Sequence, residues 1–298
     1  MTFNTLLERK VRTTITVVRP DASGEATPDV YTFASHRQKI TVRNGGAQFN
    51  SARVEIYGAP LDTMNQIARL WNIAMAPQNT DTLQIDVWDG WNYIPLFAGV
   101  ISWSTIEARQ PPNVYLVVEA NASFALGNMA VSPYANPGPV ALQDVLTSVI
   151  TPAGFSLDYS SAAINPLMND VRLTGSPLEQ ITQAIGHYPQ LRFAFQLQRL
   201  VVTAVGQPFT ADPILISPRN GMMGGPAFSS SSLQLATIFN PRIRQGVAIE
   251  VETEFTYVNQ TAWLAAVVVH QLEPNVPGGA FTTSIACSAW GTAGNNQQ

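Results

Sequence analysis

The sequence predicts a mainly β protein in which two barrel-like β domains flank a small α/β module. Three observations carry that prediction. Apolar and polar residues alternate with period two over the first 130 residues and again beyond residue 207, as half-buried strands do. Between these runs, apolar residues recur at helical spacing and one helix start carries a capping signature. A proline-rich stretch separates the first β run from the helical part. The expected organisation is a first β-barrel domain with one helix at 1–131, a linker at 132–139 and an α/β module at 140–206. A second β-barrel domain at 207–290 and a disordered tail at 291–298 complete it.

Val11, Thr13, Ile15 and Val17 alternate with Arg12, Thr14 and Thr16 and define the first strand. Ile40 and Val42 oppose Lys39, Thr41 and Arg43 in the same way, and Asn44-Gly45-Gly46 supplies residues suited to a tight reversal. Ala52, Val54 and Ile56 form the next inward face, ended by Gly58. Leu61, Met64, Ile67, Ala68, Leu70, Trp71 and Met75 recur near helical spacing, so a helix is expected over 61–76, stopped by Pro77. Strands follow at 83–87, 94–101 and 114–119, with Asp89-Gly90 as a hairpin turn and Gly99 as a bulge or a close approach.

Three prolines, Pro133, Pro137 and Pro139, lie within eight residues and read as the linker. Beyond them, Leu142, Val145, Leu146, Val149 and Ile150 make one helical face. Ser176, Pro177 and Glu179 form a capping box, in which two side chains satisfy backbone donors that a helix start leaves unpaired. Leu178, Ile181 and Ile185 are that helix's buried stripe, and short strands are expected at 171–173, 191–196 and 199–204. The last β run should hold strands at 214–217, 233–238, 247–253, 264–270 and 282–288.

Composition narrows the function classes. Of the 298 residues, 46% are apolar and only 12% charged, against about 25% charged in ordinary soluble chains. A membrane-spanning helix needs ~20 apolar residues in succession. The longest apolar run covers only 262–269, which excludes that reading. What remains is a chain whose surface is largely covered by partners, since interface cores are poor in charge. Net charge is −4 and no Lys/Arg cluster occurs along the chain, so sequence-specific nucleic-acid binding has no footprint. A single cysteine, Cys287, excludes an internal disulfide and a cysteine zinc site. Met1-Thr2-Phe3-Asn4 lacks the apolar core of a signal peptide, so synthesis and assembly in a cytoplasm are expected.

Candidate chemistry is sparse. His36, His187 and His270 fall in three segments; His270 reads as a hydrogen-bonded strand-end residue and His187 as a helix C-terminal cation. Glu250, Glu252 and Glu254 alternate and should share one strand face, either a solvated surface or the acids of a hydrolase. Asp86 and Asp89 read as turn residues flanking a hairpin. Asn220-Gly221-Met222-Met223-Gly224-Gly225-Pro226 has no following Lys-Ser/Thr, so it is no phosphate loop and suits packing against another subunit. Trp88, Trp91, Tyr93 and Trp103 gather around one hairpin; core filling is the preferred reading and a sugar-stacking face the alternative.

Two stretches resemble the hub proteins of phage baseplates and related injection machines. The first is Ile40-Thr41-Val42, Ala52-Arg53-Val54-Glu55-Ile56-Tyr57-Gly58, Leu83-Gln84-Ile85-Asp86-Val87 and Leu96-Phe97-Ala98-Gly99-Val100-Ile101. It is similar to a hub pattern of a Gly-ended strand, a variable helix and a hairpin closing on Phe-x-Gly-x-Ile. The second is Met223-Gly224-Gly225-Pro226, Leu235-Ala236-Thr237-Ile238-Phe239-Asn240-Pro241, Gly246 and Val269-His270-Gln271-Leu272, which is similar to the second hub barrel. The resemblance implies a homotrimer whose two related, tube-like barrels form a six-part ring on a hexameric tail tube protein. Further implied partners are a central spike or tail-tip protein, the tape measure protein and surrounding baseplate proteins, within a virion tail of contractile or long-tailed type. It implies a non-enzymatic chain with no catalytic, cofactor-binding or metal-binding residues and no cofactor. The alternative is a carbohydrate-binding or peptidoglycan-hydrolysing tail protein.

Overall fold

The computed structural model describes residues 9–20, 26–45, 50–68, 81–229 and 232–289. Its first run is β1 (Val11–Pro20), β2 (Ala26–Phe33), β3 (Arg37–Asn44), β4 (Ser51–Tyr57), α1 (Leu61–Ile67), β5 (Thr82–Trp88), β6 (Tyr93–Gln110) and β7 (Asn113–Asn121). The middle run opens with α2 (Phe124–Asn128), β8 (Tyr134–Ala141), α3 (Leu142–Ile150) and β9 (Ser156–Tyr159). It continues through β10 (Leu167–Leu173), α4 (Pro177–Gly186), β11 (Leu191–Gln196) and β12 (Arg199–Ala204). The last run is β13 (Thr210–Ile216), β14 (Ala227–Phe228), β15 (Leu233–Ile238), β16 (Val247–Val251), α5 (Thr256–Asn259), β17 (Trp263–Leu272) and β18 (Phe281–Ala289).

Alternation places the first core where the sequence says it should be. Ile40 and Val42 of β3 and Ala52, Val54 and Ile56 of β4 are all buried, with Ile40 opposite Val54 and Val42 opposite Ala52. β4 continues to β7, then β6, β5, β1 and β2, every pair antiparallel. The sheet curls far enough for its two ends to meet. Thr13 of β1 donates to Gln38 Oε1 of β3 at 2.6 Å, and Gln38 Nε2 donates to the Phe33 carbonyl at 3.0 Å. That closure is made by buried side chains and not by a strand ladder. The described strands therefore follow an open path, with no sheet closing on itself. Gly99 marks a close approach: a Cβ there would lie 2.8 Å from the Asn121 backbone and from the Phe97 ring.

The middle run has its own core, built on the expected face of α3. The capping box of α4 forms as its residues dictate. Glu179 N donates to Ser176 Oγ at 3.3 Å, and Ser176 N donates to Glu179 Oε2 at 2.8 Å. Ile181 and Ile185 are buried under it, while Leu178 is only partly covered and Ala184 completes the stripe.

Three expectations need correction. The stretch read as a linker is mostly strand, because β8 pairs only with β10 and so keeps one free edge. Prolines are tolerated on such an edge, and a bulge between Asn169 and Val171 faces Pro137 and Gly138. Gly138, at φ +86°, donates to Asp170 Oδ1 at 3.0 Å instead of to a ladder carbonyl. α1 ends at Ile67, since Ala68 is already extended; the remaining expected turns, 69–76, lie outside the described residues, as do Gly46 and the tail at 291–298. β2 and β9 were not expected: β2 carries Pro28 and Asp29 and buries little besides Phe33.

The first and last β runs share one sheet of thirteen strands. β17 pairs with β18 along most of its length; on its other side it meets β16 at Trp263 and Leu264, then β3 from Val268 to Leu272. A register shift between Ala265 and Val267 marks the changeover. The last run is no strand-for-strand copy of the first, because β13 joins β16 in parallel. Leu272 is fully buried, faces Ile40 across the junction and belongs to the first core. Leu272→Ala is expected to lower stability by about 2–5 kcal/mol in urea unfolding, whereas Val30→Ala, at a side chain 61% exposed, should change it by under ~0.5 kcal/mol. A cost below ~1 kcal/mol for Leu272→Ala would show that the junction contributes little.

Candidate functional site

The seam between β3 and β17 is where two β units become one body. Its ladder runs Val268–Asn44, Val269–Arg43, His270–Val42, Gln271–Thr41 and Leu272–Ile40. His270 sits fully buried in that ladder, with Nδ1 2.9 Å from Thr283 Oγ1 of β18. The Thr283 hydroxyl also accepts the Asn240 N–H at 3.2 Å. Phe239 meets the imidazole edge-on at 5.3 Å and Phe281 at 5.2 Å. Burial, reinforced by the nearby Arg244 charge, pushes the His270 pKa down to about 3. The imidazole is neutral at ordinary pH and serves as a polar peg in an apolar joint.

The middle module is tied to the same joint. Asn50 Nδ2, beside β4, donates to the Phe195 carbonyl of β11 at 2.5 Å, and Gln196 Nε2 donates to the Gln245 carbonyl at 2.7 Å. On the outer side of the last run, Leu235, Ala236, Val267 and Val269 line a shallow hollow of about 350 Å³ with almost no charge. Phe228, Phe255 and Tyr257 stand exposed nearby in the sequence of the same run, with the Phe228 and Tyr257 rings 5.3 Å apart. The hollow is lined without a carboxylate, histidine or cysteine, and the exposed rings extend the apolar character of this run. Among the described residues, no group of three or more His, Cys, Asp or Glu is arranged to hold a metal. Nor is any described helix long and apolar enough to cross a membrane.

No protein-family model matches this sequence, and no curated protein matches it. Solved structures do. The chain superposes on the 43 kDa tail protein of prophage MuSo2 from Shewanella oneidensis with TM-score 0.62 at 10% identity, covering 94% of this chain and 96% of the other. The tail protein from Neisseria meningitidis MC58 gives 0.62 at 9% identity over 93% and 96%. An Escherichia coli component of the type VI secretion system, described as similar to the T4 bacteriophage tail proteins gp27 and gp5, gives 0.57 at 10% identity over 86% and 74%. The chain has the fold of phage tail proteins.

Within this tail-protein fold, the residues singled out in the sequence take definite places. His187 caps the C-terminus of α4, and His36 lies between β2 and β3 against Phe33 at 5.2 Å. His270 is hydrogen-bonded as expected but lies inside β17, because that strand continues to Leu272. Glu250, Glu252 and Glu254 do not share a strand face: β16 ends at Val251, and the chain bends at Thr253 and Glu254. Asp86 is not a turn residue. It is buried in β5, pairs with Arg12 at 2.8 Å and accepts from Gln84 Nε2 at 2.8 Å. Asp89 does make the turn, accepting from the Trp91 and Asn92 N–H groups at 2.8 and 2.7 Å.

The four hairpin aromatics are not core. Trp91 is 84% exposed and Trp103 39%, while Trp88 and Tyr93 are half-buried, edge-to-face at 5.2 Å. Lys10 lies 5.7 Å from the Trp88 ring and Arg12 4.5 Å from the Tyr93 ring, so cations occupy faces that a sugar platform would use. The glycine-rich loop is fastened to β15 by Met223 N donating to the Ala236 carbonyl at 2.7 Å and Thr237 Oγ1 to the Gly221 carbonyl at 2.8 Å. Its Met223 side chain points outward, exposed. Cys287 is buried, and burial pushes its thiol up to about 12.

Sequence reasoning missed one grouping altogether. No basic run exists along the chain, yet the fold gathers Arg199, Arg242 and Arg244 around one cleft. Only the Arg-x-Arg spacing of the last two hinted at it.

His270 makes a pH prediction. Its folded pKa, about 3, lies below the ordinary value of 6.5, so the unfolded chain binds the extra proton first. Stability is therefore full above pH ~6.5 and falls on acidification toward pH ~3, by at most about 1.4 kcal/mol per pH unit from this group. His270→Gln should be less stable at pH 7 but show a shallower loss between pH 6.5 and 5. Equal slopes in the two proteins, read from urea midpoints, would remove His270 as the cause.

Proposed function

We propose that this chain is a structural hub of a phage baseplate or a related injection machine. In this reading, residues 1–131 and 207–290 act as two related, tube-like β units, with the α/β module at 140–206 set between them. Three copies form a six-position ring that continues a hexameric tail tube and connects it to a central spike or tail-tip protein. The ring's channel passes the tape measure and then DNA. Assembly takes place in the bacterial cytoplasm, and no catalysis is involved.

One observation carries the proposal: both β units belong to a single sheet through β17, so their relative placement is fixed within each chain. Symmetric rings need matched surfaces, and three chains match six tube subunits only when each offers two positions held rigidly together. Likeness to tail proteins over 94% of the chain supports the same reading, as does the 12% charged fraction.

Subunit counting in assembled tails should give three copies per ring by electron cryo-microscopy, with both β units at one radius. Six equivalent copies, or two units at different radii, would refute the ring. Purified protein is also expected to leave peptidoglycan intact in a turbidity-clearing assay. Clearing that disappears in Glu250→Gln or Glu252→Gln would replace the structural role with a hydrolytic one.

A further inference from the structure

Arg199 of β12 and Arg242 and Arg244 of the segment before β16 line a cleft of about 300 Å³ where the module meets both β units. Arg199 also borders a second, more open hollow of about 570 Å³. The chain has 16 Lys and Arg against 20 Asp and Glu, yet three arginines line this one cleft beside a single carboxylate, Asp158. None of the ion pairs among the described residues joins Asp158 to Arg199 or Arg244. Phe209, also in the wall, carries a fourth cation, with the Arg192 guanidinium 4.9 Å from its ring.

Arg244 is held in place without being neutralised. It is half-buried, and its Nε and Nη2 donate to the Pro241 and Pro95 carbonyls at 3.3 and 2.9 Å. Those acceptors fix the guanidinium but bring no negative charge. Burial, and then the Arg199 charge, lower its pKa, which reports that the two cations oppose one another. Like charges held together at a partly desolvated site repel more strongly than in water. A planar guanidinium already oriented by backbone is also suited to gripping an oxyanion through paired hydrogen bonds.

We propose that this cleft is an oxyanion site, in which a phosphate or carboxylate group seats against Arg199 and Arg244, with Arg242 at its rim. The anion would bridge β12 of the module to the segment entering β16, and so stiffen the three-way junction. Its source is either a free phosphate or an acidic side chain of a neighbouring chain. Asp158 competes for the same cations.

The test titrates the full chain with sodium phosphate and, separately, sodium glutarate, against sodium chloride at matched ionic strength. Melting temperature and calorimetry are followed together. A saturable rise above the chloride control is expected, with affinity at least tenfold weaker in Arg199→Gln. Arg199 is exposed, so this variant should fold; Arg244→Gln, which loses two backbone bonds, is a secondary variant read only where its circular dichroism matches the parent. Asp158→Asn should bind several-fold tighter, an effect that a purely structural role for the arginines would not produce. Response to phosphate alone assigns the source to phosphate, and response to glutarate assigns it to a carboxylate side chain; either supports the site. Equal shifts with all three salts, or undiminished affinity in Arg199→Gln, would overturn it.

Discussion

The ladder between β3 and β17 is the constraint on which the rest of the molecule depends. β17 has one partner, β18, along one edge and divides its other edge between β16 and β3. The handover from β16 to β3 falls where β17 shifts register against β18, between Ala265 and Val267. Leu272 and Phe239, residues of the last run, consequently pack into the first core. Two sheets that merely touched would be free to slide. Sharing a strand converts their contact into backbone hydrogen bonds, whose directionality fixes the angle between them.

Buried polar groups recur wherever separate parts of the chain meet. Gln38 and Thr13 join the ends of the curled sheet, and Asn50 joins it to the module. Ser104 Oγ donates to the Ile67 carbonyl under α1 at 2.9 Å, while Gln180 Nε2 of α4 reaches the Ser132 carbonyl ahead of β8 at 3.3 Å. A buried donor left unpaired costs about 1–3 kcal/mol. Arrangements that separate these partners are therefore penalised, and the apolar surfaces, which alone would tolerate many packings, are held to one.

Much of this was readable along the chain, because strand faces and helix caps are local. The inward residues of β4, the bounds of β12 and β15 and the Ser176–Glu179 box all follow from spacing within a few residues. What escaped is set by distant neighbours. Nothing near Ile40 announces Leu272, and nothing near Asp86 announces Arg12. The prolines of β8 look like breakers until the strand is known to have a free edge. Trp91 and Trp103 look like core until the hairpin's orientation turns them outward. The candidate cleft was least legible of all, since Arg199 and Arg244 come from different parts of the chain and share only their destination.

The order in which a ribosome delivers these strands has a further consequence. One edge of β3 is covered by β4 within a few residues, but the other waits for β17, more than two hundred residues later. At bacterial elongation rates of roughly 5–20 residues per second that interval is on the order of 10–45 s. During it the nascent chain presents an open strand edge, the kind of surface that pairs with stray strands. Arg37, Lys39 and Arg43 project from the exposed face of β3 throughout that wait. Their charge would discourage neighbouring nascent chains from pairing there, so a strand left waiting during synthesis carries three spaced positive side chains in an otherwise charge-poor protein.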